Sequence, residues 1–288
     1  MNVLSLLIQY IFIGITAGST YTLVALGFVI IFRSTEVINF AQGEFVVLGA
    51  LIMIFLSAKM ALSTVSAFIL TIAIMAIVGG FFERVTIRFK GGTSVLSLII
   101  ITVGFSIMFQ GAAMLVWGKD SYSLPYFFGD KPMTFWGATI HPQAIFVVCF
   151  SIVAMMVFYL FSRYTLLGKA MTACSENREA ASLMGINPRK ITLLSFVLSA
   201  VLGASAGIVI TPITFIEYDR GLTFAIKGFA AAVLGGFGTV GVMVAGFALG
   251  IIESLTAGLL GSSFKDAASL IILLSVLIFK ALRRKDEI

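Results

Sequence analysis

The sequence predicts an all-α polytopic membrane protein, because it is far more apolar than a soluble chain and its positive charges are clustered. Hydrophobic residues make up 60% of the 288 residues and charged residues only 11%, whereas soluble domains carry about 25% charged residues. The apolar excess is spread along the whole chain in separate runs. We therefore expect a single transmembrane domain over residues 1–288, with most helices facing lipid.

Nine apolar runs follow one another, and each is interpreted as a helix because an open strand in lipid would leave its backbone groups without partners. Runs of about 20 residues can cross a bilayer, and only the seventh is too short. The sequence therefore predicts eight or nine transmembrane helices, one of them short or broken. The similar segments 47–50 (VLGA) and 233–236 (VLGG) suggest an internal repeat, which is common in transporters. The runs are 4–32, 40–61, 65–82, 94–117, 143–162, 191–213, 223–236, 240–260 and 266–282.

The distribution of Lys and Arg predicts how the helices are oriented. Most of the 19 basic residues lie in clusters between or after apolar runs, and such clusters mark cytoplasmic loops. The C-terminus and residues 163–192 are therefore expected inside, and the N-terminus and the charge-balanced loop 118–142 outside. Since no basic patch forms, nucleic acid is not an expected partner. The clustered residues are Arg33; Arg84, Arg88 and Lys90; Arg163, Lys169, Arg178, Arg189 and Lys190; Lys280, Arg283, Arg284 and Lys285.

Residue types for catalysis or metal binding are scarce. The chain has one histidine and two cysteines, so we expect no metal, no cofactor and no enzymatic site. The sequence has no Gly-x-x-x-x-Gly-Lys-Ser/Thr loop to cradle ATP phosphates. Three glycine pairs have the small-xxx-small spacing that lets membrane helices approach closely, and they predict packing within the chain or against a second subunit. The pairs are Gly14/Gly18, Gly203/Gly207 and Gly246/Gly250.

Within the inner loop, residues 179–185 predict a short helix. Ser175 is placed to cap its start, and the acidic Glu176 and Glu179 suit the partial positive charge at a helix N-terminus. Gly185 supplies the left-handed position that often ends a helix. A short capped helix between two membrane spans suits docking into a partner, although an amphipathic loop at the lipid headgroups would show the same pattern.

A few polar residues interrupt the apolar runs. Asn39 is a good N-cap, and Gln42 three residues later can complete a capping box. Glu44 and Lys227 lie where a charge costs roughly 2.5–3.5 kcal/mol and usually faces a partner or a wet cavity, and they could pair directly. Glu253 raises the same question. Snorkelling of side chains from helix ends to the headgroups is the competing interpretation.

Four blocks of the sequence carry a family resemblance: 18–27 (GSTYTLVALG), 37–44 (VINFAQGE), 181–187 (ASLMGIN) and 227–238 (KGFAAAVLGGFG). Together they resemble the H-type permease subunit of the branched-chain amino-acid ABC transporters, nearly end to end. This chain departs from the family at Gln42, where a histidine is usual. The Glu-Ala-Ala-x-x-x-Gly pattern that begins at Glu179 resembles the docking motif of ABC-importer permeases, without its usual Ile-x-Leu-Pro ending.

The resemblance implies an importer built from two paralogous permeases, two cytoplasmic ATPases and a periplasmic binding protein. It places the chain in the bacterial inner membrane, where the orientation predicted from Lys and Arg makes the N-terminus periplasmic and the C-terminus cytoplasmic. It also implies that the inner loop contains the coupling helix that engages the ATPase. The implied ATPase-coupling residues are Glu176, Glu179, Ala180, Ala181 and Gly185.

The expected function is import of branched-chain or other small amino acids. A zwitterion needs an acceptor for its ammonium group and a donor for its carboxylate, so the few polar residues in the apolar runs are the candidates. Because Gln42 replaces the usual histidine, related importers for urea, amides or aromatic acids remain alternatives. A secondary transporter that needs no ATP, with Glu44 and Glu253 coupling protons, is another. The expected pathway residues are Ser19, Thr20, Asn39, Gln42, Glu44 and Lys227.

Overall fold

The computed structural model describes residues 3–86, 95–129 and 131–285. These residues form eleven α-helices and one β-hairpin, which confirms the predicted all-α polytopic fold. Arg88 and Lys90 of a predicted inner cluster lie outside the described residues. The elements are α1 (Val3–Thr35), α2 (Gln42–Ile54), α3 (Thr64–Thr86), α4 (Val95–Trp117), β1 (Met133–Phe135), β2 (Ala138–Ile140), α5 (Pro142–Tyr164), α6 (Leu166–Glu176), α7 (Arg178–Leu183), α8 (Pro188–Ile210), α9 (Gly221–Leu234), α10 (Thr239–Leu260) and α11 (Lys265–Lys285).

Seven helices in the described part of the chain are long and apolar enough to cross a membrane. They are α1, α2 with the π-helical turn Phe55–Lys59 that extends it, α3, α4, α5, α8 and α10. The short run predicted around 223–236 is α9, which has only 14 residues. The last predicted run is α11. Each of the nine predicted runs is therefore helical, and the internal repeat stays a prediction.

Helix α1 lies at the centre of the molecule, and its residues 23–31 are all buried. It packs against α10 through small residues: a Cβ atom on Gly18 would stand 2.7 Å from the carbonyl oxygen of Gly246. In the same way, a Cβ on Gly207 of α8 would overlap the backbone of Val46 in α2. The glycine pairs predicted from the sequence thus bring helices of this chain into backbone contact.

Helices α4 and α5 lie at the periphery and expose apolar side chains. Leu115 of α4 is 84% exposed and Val157 of α5 is 60% exposed. Contiguous apolar surface of this kind is rare on soluble monomers. It suits contact with lipid or with a second membrane subunit.

Two loops pair with each other at one end of the helices. The loop between α4 and α5 covers residues 118–141, one residue fewer than the predicted 118–142, and contains the β1–β2 hairpin. Its Tyr122 exchanges two backbone hydrogen bonds, of 2.9 and 2.8 Å, with Ile216 in the loop that follows α8. This bridge fixes the segment that leads into α9.

Candidate functional site

The two short helices α2 and α9 begin in the interior of the protein and meet at their N-termini. Gln42 and Gly221, their first residues, are both buried. Gly43 packs directly on Gly221, because a Cβ at position 43 would overlap the carbonyl group of Gly221. The structure therefore places the candidates Gln42 and Glu44, at the start of α2, against the start of the short helix α9.

Glu44 lies at this junction. Its side chain is almost fully buried, and its Oε1 accepts a hydrogen bond of 3.0 Å from the hydroxyl of Ser106 in α4. The carboxylate also packs on the Cα of Gly221, where any Cβ would overlap it. Because Glu44 is in the first turn of α2 and beside the start of α9, it faces the partial positive charge of two helix N-termini.

The predicted capping box at Asn39 and Gln42 is wrong. Helix α2 begins only at Gln42, and its N-cap is Ala41, which makes no side-chain cap bond. Asn39 accepts instead from the backbone N–H of Ala41, 3.1 Å away. It therefore forms a local turn over the three residues 39–41, before the helix has begun.

Gln42 holds three helices together. Its Nε2 donates to the carbonyl oxygen of Ser199 in α8, at 3.2 Å. The Ser199 hydroxyl donates to Gln42 Oε1 and lies 3.0 Å from the carbonyl oxygen of Gly27 in α1. Gln42 is fully buried, so its amide supports the packing of α1, α2 and α8 around the junction.

Ser19 and Thr20 face the interior from α1, and both are fully buried. The Ser19 hydroxyl donates to the backbone carbonyl of Ile15 at 2.7 Å. Thr20 Oγ1 and Asn39 Nδ2 are buried and make no hydrogen bond within the described residues. A buried polar atom without a partner costs about 1–3 kcal/mol, so both atoms are candidates to contact a passing polar substrate.

Lys227 does not approach Glu44, so the direct pair considered from the sequence is wrong. Its Nζ lies 2.7 Å from Glu253 Oε1 and 2.9 Å from Asp266 Oδ1. Because α9 begins at Gly221, two residues earlier than predicted, Lys227 is in the second turn of the helix and points away from the junction. The site thus consists of two separate polar groups, one around Glu44 and one around Lys227.

The inner loop contains two short helices, α6 and α7, where the sequence predicted one. Asn177 caps α7 by accepting from the N–H of Ala180 at 2.9 Å. The predicted cap, Ser175, is wrong: it lies in the last turn of α6, and its hydroxyl donates to the carbonyl of Thr172. Gly185 has φ +85°, which confirms the predicted left-handed position.

One face of α7 is exposed and the other is anchored. Leu183 and Met184 are 89% and 83% exposed, while Ala181 is buried against α6 and α8. Arg178 reaches from the start of α7 to the carbonyl oxygen of Ser34, at 3.3 Å, in the last turn of α1. An exposed apolar tip that is tied to the central helix is the feature expected of a docking element.

Sequence reasoning missed several partners of the site residues, including Ser106, Ser199 and Arg178. A signal for the first was present: Thr102 and Ser106 lie four residues apart in the apolar run of α4, so they share one helix face. Thr102 Oγ1 accepts from the N–H of Phe40 at 3.2 Å. These two hydroxyls form a polar stripe that faces the start of α2.

Comparison with known proteins identifies relatives along nearly the whole chain. The family described as "Branched-chain amino acid transport system / permease component" matches residues 10–280. LivH of Salmonella typhimurium (strain LT2), a "High-affinity branched-chain amino acid transport system permease protein", is 32% identical over 94% of this chain and 92% of its own length. BraD of Pseudomonas aeruginosa, which has the same description, is 34% identical over 95% of this chain and 94% of its own length.

A solved structure, "PsaBC from Streptococcus pneumoniae in complex with Fab", has 14% sequence identity and a TM-score of 0.46, covering 96% of this chain and 89% of the other. The family assignment depends on the sequence matches alone. Because the family match extends over most of the chain and both relatives exceed 30% identity, this protein belongs to the family of permease components of branched-chain amino acid transport systems.

Proposed function

We propose that this permease is the membrane subunit of an ATP-driven importer for branched-chain or other small amino acids. In this proposal, it pairs with a paralogous permease, takes substrate from a periplasmic binding protein and is driven by two cytoplasmic ATPases. The chain itself is the transport subunit and hydrolyses no ATP. It lies in the bacterial inner membrane, with the N-terminus periplasmic and the C-terminus cytoplasmic.

The observation that carries the ATP-driven part of the proposal is the geometry of α7. Its exposed apolar tip, Leu183 and Met184, provides a surface for an ATPase, together with Glu176, Glu179 and Ala180. Arg178 links this helix to the end of α1 through the carbonyl of Ser34. Because α1 also packs on α8, α9 and α10, a displacement of α7 would be passed to the helices around the site.

The proposed substrate pathway passes the junction of α2 and α9. Glu44 would accept the ammonium group of an amino acid there, since its carboxylate is buried with one hydroxyl donor, Ser106. Thr20 and Asn39 would offer the buried polar atoms that have no partner in the described chain. The remaining proposed pathway residues are Ser19 and Gln42, together with Lys227 in the separate polar group.

The class of transporter is tested by purification without crosslinking. We expect an ATPase subunit and a second permease to copurify with this chain in detergent. A permease that purifies alone and still transports would contradict the proposal and favour a secondary transporter.

The substrate is tested by uptake into proteoliposomes that contain the purified complex. ATP is supplied on the side of the membrane where the ATPases lie, and the binding protein is supplied on the opposite side. Uptake of radiolabelled L-leucine, L-isoleucine or L-valine should require ATP. Urea, short amides and aromatic acids form the comparison panel. ATP-dependent uptake of a panel compound without uptake of any amino acid would reassign the substrate.

A further inference from the structure

A buried pair of opposite charges, Lys227 of α9 and Glu253 of α10, lies beside α1. The two side chains are 8% and 1% exposed, and Lys227 Nζ is 2.7 Å from Glu253 Oε1. Two hydroxyls hold the carboxylate: Tyr21 donates to Oε1 at 3.0 Å and Ser269 donates to Oε2 at 3.1 Å. The ammonium group also lies 5.4 Å from the centre of the Tyr21 ring, within the range of a cation–π contact.

Two consecutive residues at the start of α11 each form an ion pair with one member of this buried pair. Asp266 Oδ1 is 2.9 Å from Lys227 Nζ, and Lys265 Nζ is 3.5 Å from Glu253 Oε1. Their side chains are 72% and 46% exposed. One exposed carboxylate thus contacts the buried ammonium group, and one exposed ammonium group contacts the buried carboxylate.

This arrangement is more than the packing of α11 requires. Lys227 and Glu253 already neutralise each other, so Asp266 and Lys265 are not needed to balance the buried charges. The two outer groups are, however, a carboxylate and an ammonium group, and an α-amino acid carries the same two charged groups. A free amino acid could place its carboxylate on Lys227 and its ammonium group on Glu253 in the same way.

We propose that the Lys227–Glu253 pair is a binding site for the charged head group of an α-amino acid, and that Lys265 and Asp266 occupy it as an internal substitute. This inference rests on the proposed import of amino acids and adds to the pathway a second polar site, separate from the one at Glu44. Asp266 and the substrate carboxylate compete for Lys227, while Lys265 and the substrate ammonium group compete for Glu253. Tyr21 orients Glu253 for this contact.

The connection before α11 gives the substitute a way to leave the site. Residues 261–264 join α10 to α11, and Gly261 has φ +112°, a conformation that L-residues rarely adopt. A rotation at this glycine would lift Lys265 and Asp266 from the buried pair. In the proposed orientation this connection lies on the periplasmic side, where a binding protein delivers its cargo.

Removal of the internal substitute should strengthen amino-acid binding. The experiment measures the Kd of radiolabelled L-leucine for the detergent-solubilised complex of permeases and ATPases, without the binding protein. Because the competitor lowers the fraction of open sites, the double variant Lys265→Gln/Asp266→Asn should bind at least about fivefold more tightly than the wild type. The matched control is Lys119→Gln/Asp120→Asn, an exposed Lys-Asp pair in loop 118–142, which should leave the Kd unchanged.

A second set of variants tests the buried groups themselves. In the Lys265→Gln/Asp266→Asn background, the change Lys227→Met/Glu253→Gln removes both charges together and should abolish binding. If that variant does not assemble, Tyr21→Phe removes only the hydroxyl that orients Glu253 and should weaken binding several-fold. The competitors 4-methylpentanoate and 3-methylbutylamine, which each lack one charged group, should displace leucine far less well than unlabelled leucine does.

An unchanged Kd in Lys265→Gln/Asp266→Asn, with a lower melting temperature, would overturn the inference and leave the four charges as a structural clip. Equal competition by the single-charge analogues would overturn it as well. If the wild-type complex imports leucine but the double variant binds it no more tightly, this site is refuted and the proposed function stands. Conversely, tight binding by the double variant supports the site even where uptake assays assign the importer another substrate.

Discussion

Glu44 is the residue whose burial is hardest to explain by packing alone. Its carboxylate contacts Ser106 and the first residue of α9, and helix N-termini favour a negative charge there. We expect Glu44→Gln, which removes the charge at nearly constant volume, to lower ATP-dependent uptake about five- to tenfold, or about 1–1.4 kcal/mol. The complex should still assemble, as judged by gel filtration.

Glu36 offers the matched control for this change. It lies eight residues before Glu44, in the connection between α1 and α2, and is exposed, so Glu36→Gln should leave uptake at the wild-type level. Normal uptake by Glu44→Gln would remove Glu44 from the pathway. Loss of assembly in Glu44→Gln would instead assign the carboxylate to folding.

The side-chain amide of Gln42 packs so closely on Gly27 that it leaves no room for a side chain there. A Cβ on Gly27 would overlap Gln42 Nε2 and also stand 2.9 Å from Ser199 Oγ, so Gly27→Ala should destabilise the protein by about 1–3 kcal/mol through overpacking. The measurement is thermal unfolding of the purified complex. Gly111→Ala in α4, where a Cβ would meet nothing within 4 Å, is the control and should not lower the melting temperature.

For single residues, the sequence predicts the backbone conformation better than it predicts the tertiary contacts of the side chain. The sequence predicts the left-handed conformation of Gly185, because helix C-termini have a local signature. The sequence predicts Asn39 as an N-cap, but Asn favours local turns as well as caps, and only the tertiary structure sets where α2 begins. The partners of Gln42 and Lys227 lie 157 and 26 residues away, which no local pattern encodes.

Among the elements, α7 has the most testable geometry. Gly185 follows it with φ +85°, and a Cβ there would meet nothing within 4 Å, so a substitution is strained by its backbone and not by a neighbour. The left-handed conformation costs most L-residues roughly 1–2 kcal/mol. We therefore expect Gly185→Val to displace the exposed tip at Leu183 and Met184, and to lower ATP hydrolysis stimulated by the binding protein several-fold.

Gly185→Asn is the matched control, since Asn tolerates the left-handed region, and it should keep most of the stimulation. Glu179→Lys reverses a charge in the first turn of α7 and should weaken retention of the ATPase during purification. The affinity of the binding protein for its ligand should not change in any of these variants. Full stimulation in both Gly185→Val and Glu179→Lys would refute the docking assignment.

The elements themselves follow from the sequence where hydrophobicity decides them. All nine apolar runs are helical, including the short α9, because backbone N–H and C=O groups in lipid must form hydrogen bonds within their own segment. The helices of the inner loop are harder to predict from the sequence, since α6 and α7 together bury little and the boundary between them at Asn177 depends on one cap. The junction of α2 and α9 could not be predicted, because it depends on how α1 and α8 position both helices.

For the whole molecule, the glycine pairs predicted close helix contacts but not which helices meet. Gly18 could have faced any small residue, and only the structure shows it beside Gly246 of α10. Spacing within one helix defines a face, whereas pairing depends on every other helix competing for that face. The orientation in the membrane is a separate question, which rests on charge.

The orientation is tested with single cysteines. Cys149 and Cys174 are first replaced by Ala; Cys174 is buried, and this burial raises the pKa of its thiol, so it should react little in any case. Ser123→Cys in loop 118–142 and Ser182→Cys in α7 are both at exposed positions. Because the basic residues around α7 mark a cytoplasmic loop, an impermeant maleimide should label residue 123 in intact cells and residue 182 only after the membrane is opened. Labelling of both positions from the same side would rule out the proposed orientation, and with it the assignment of α7 as the surface that meets a cytoplasmic ATPase.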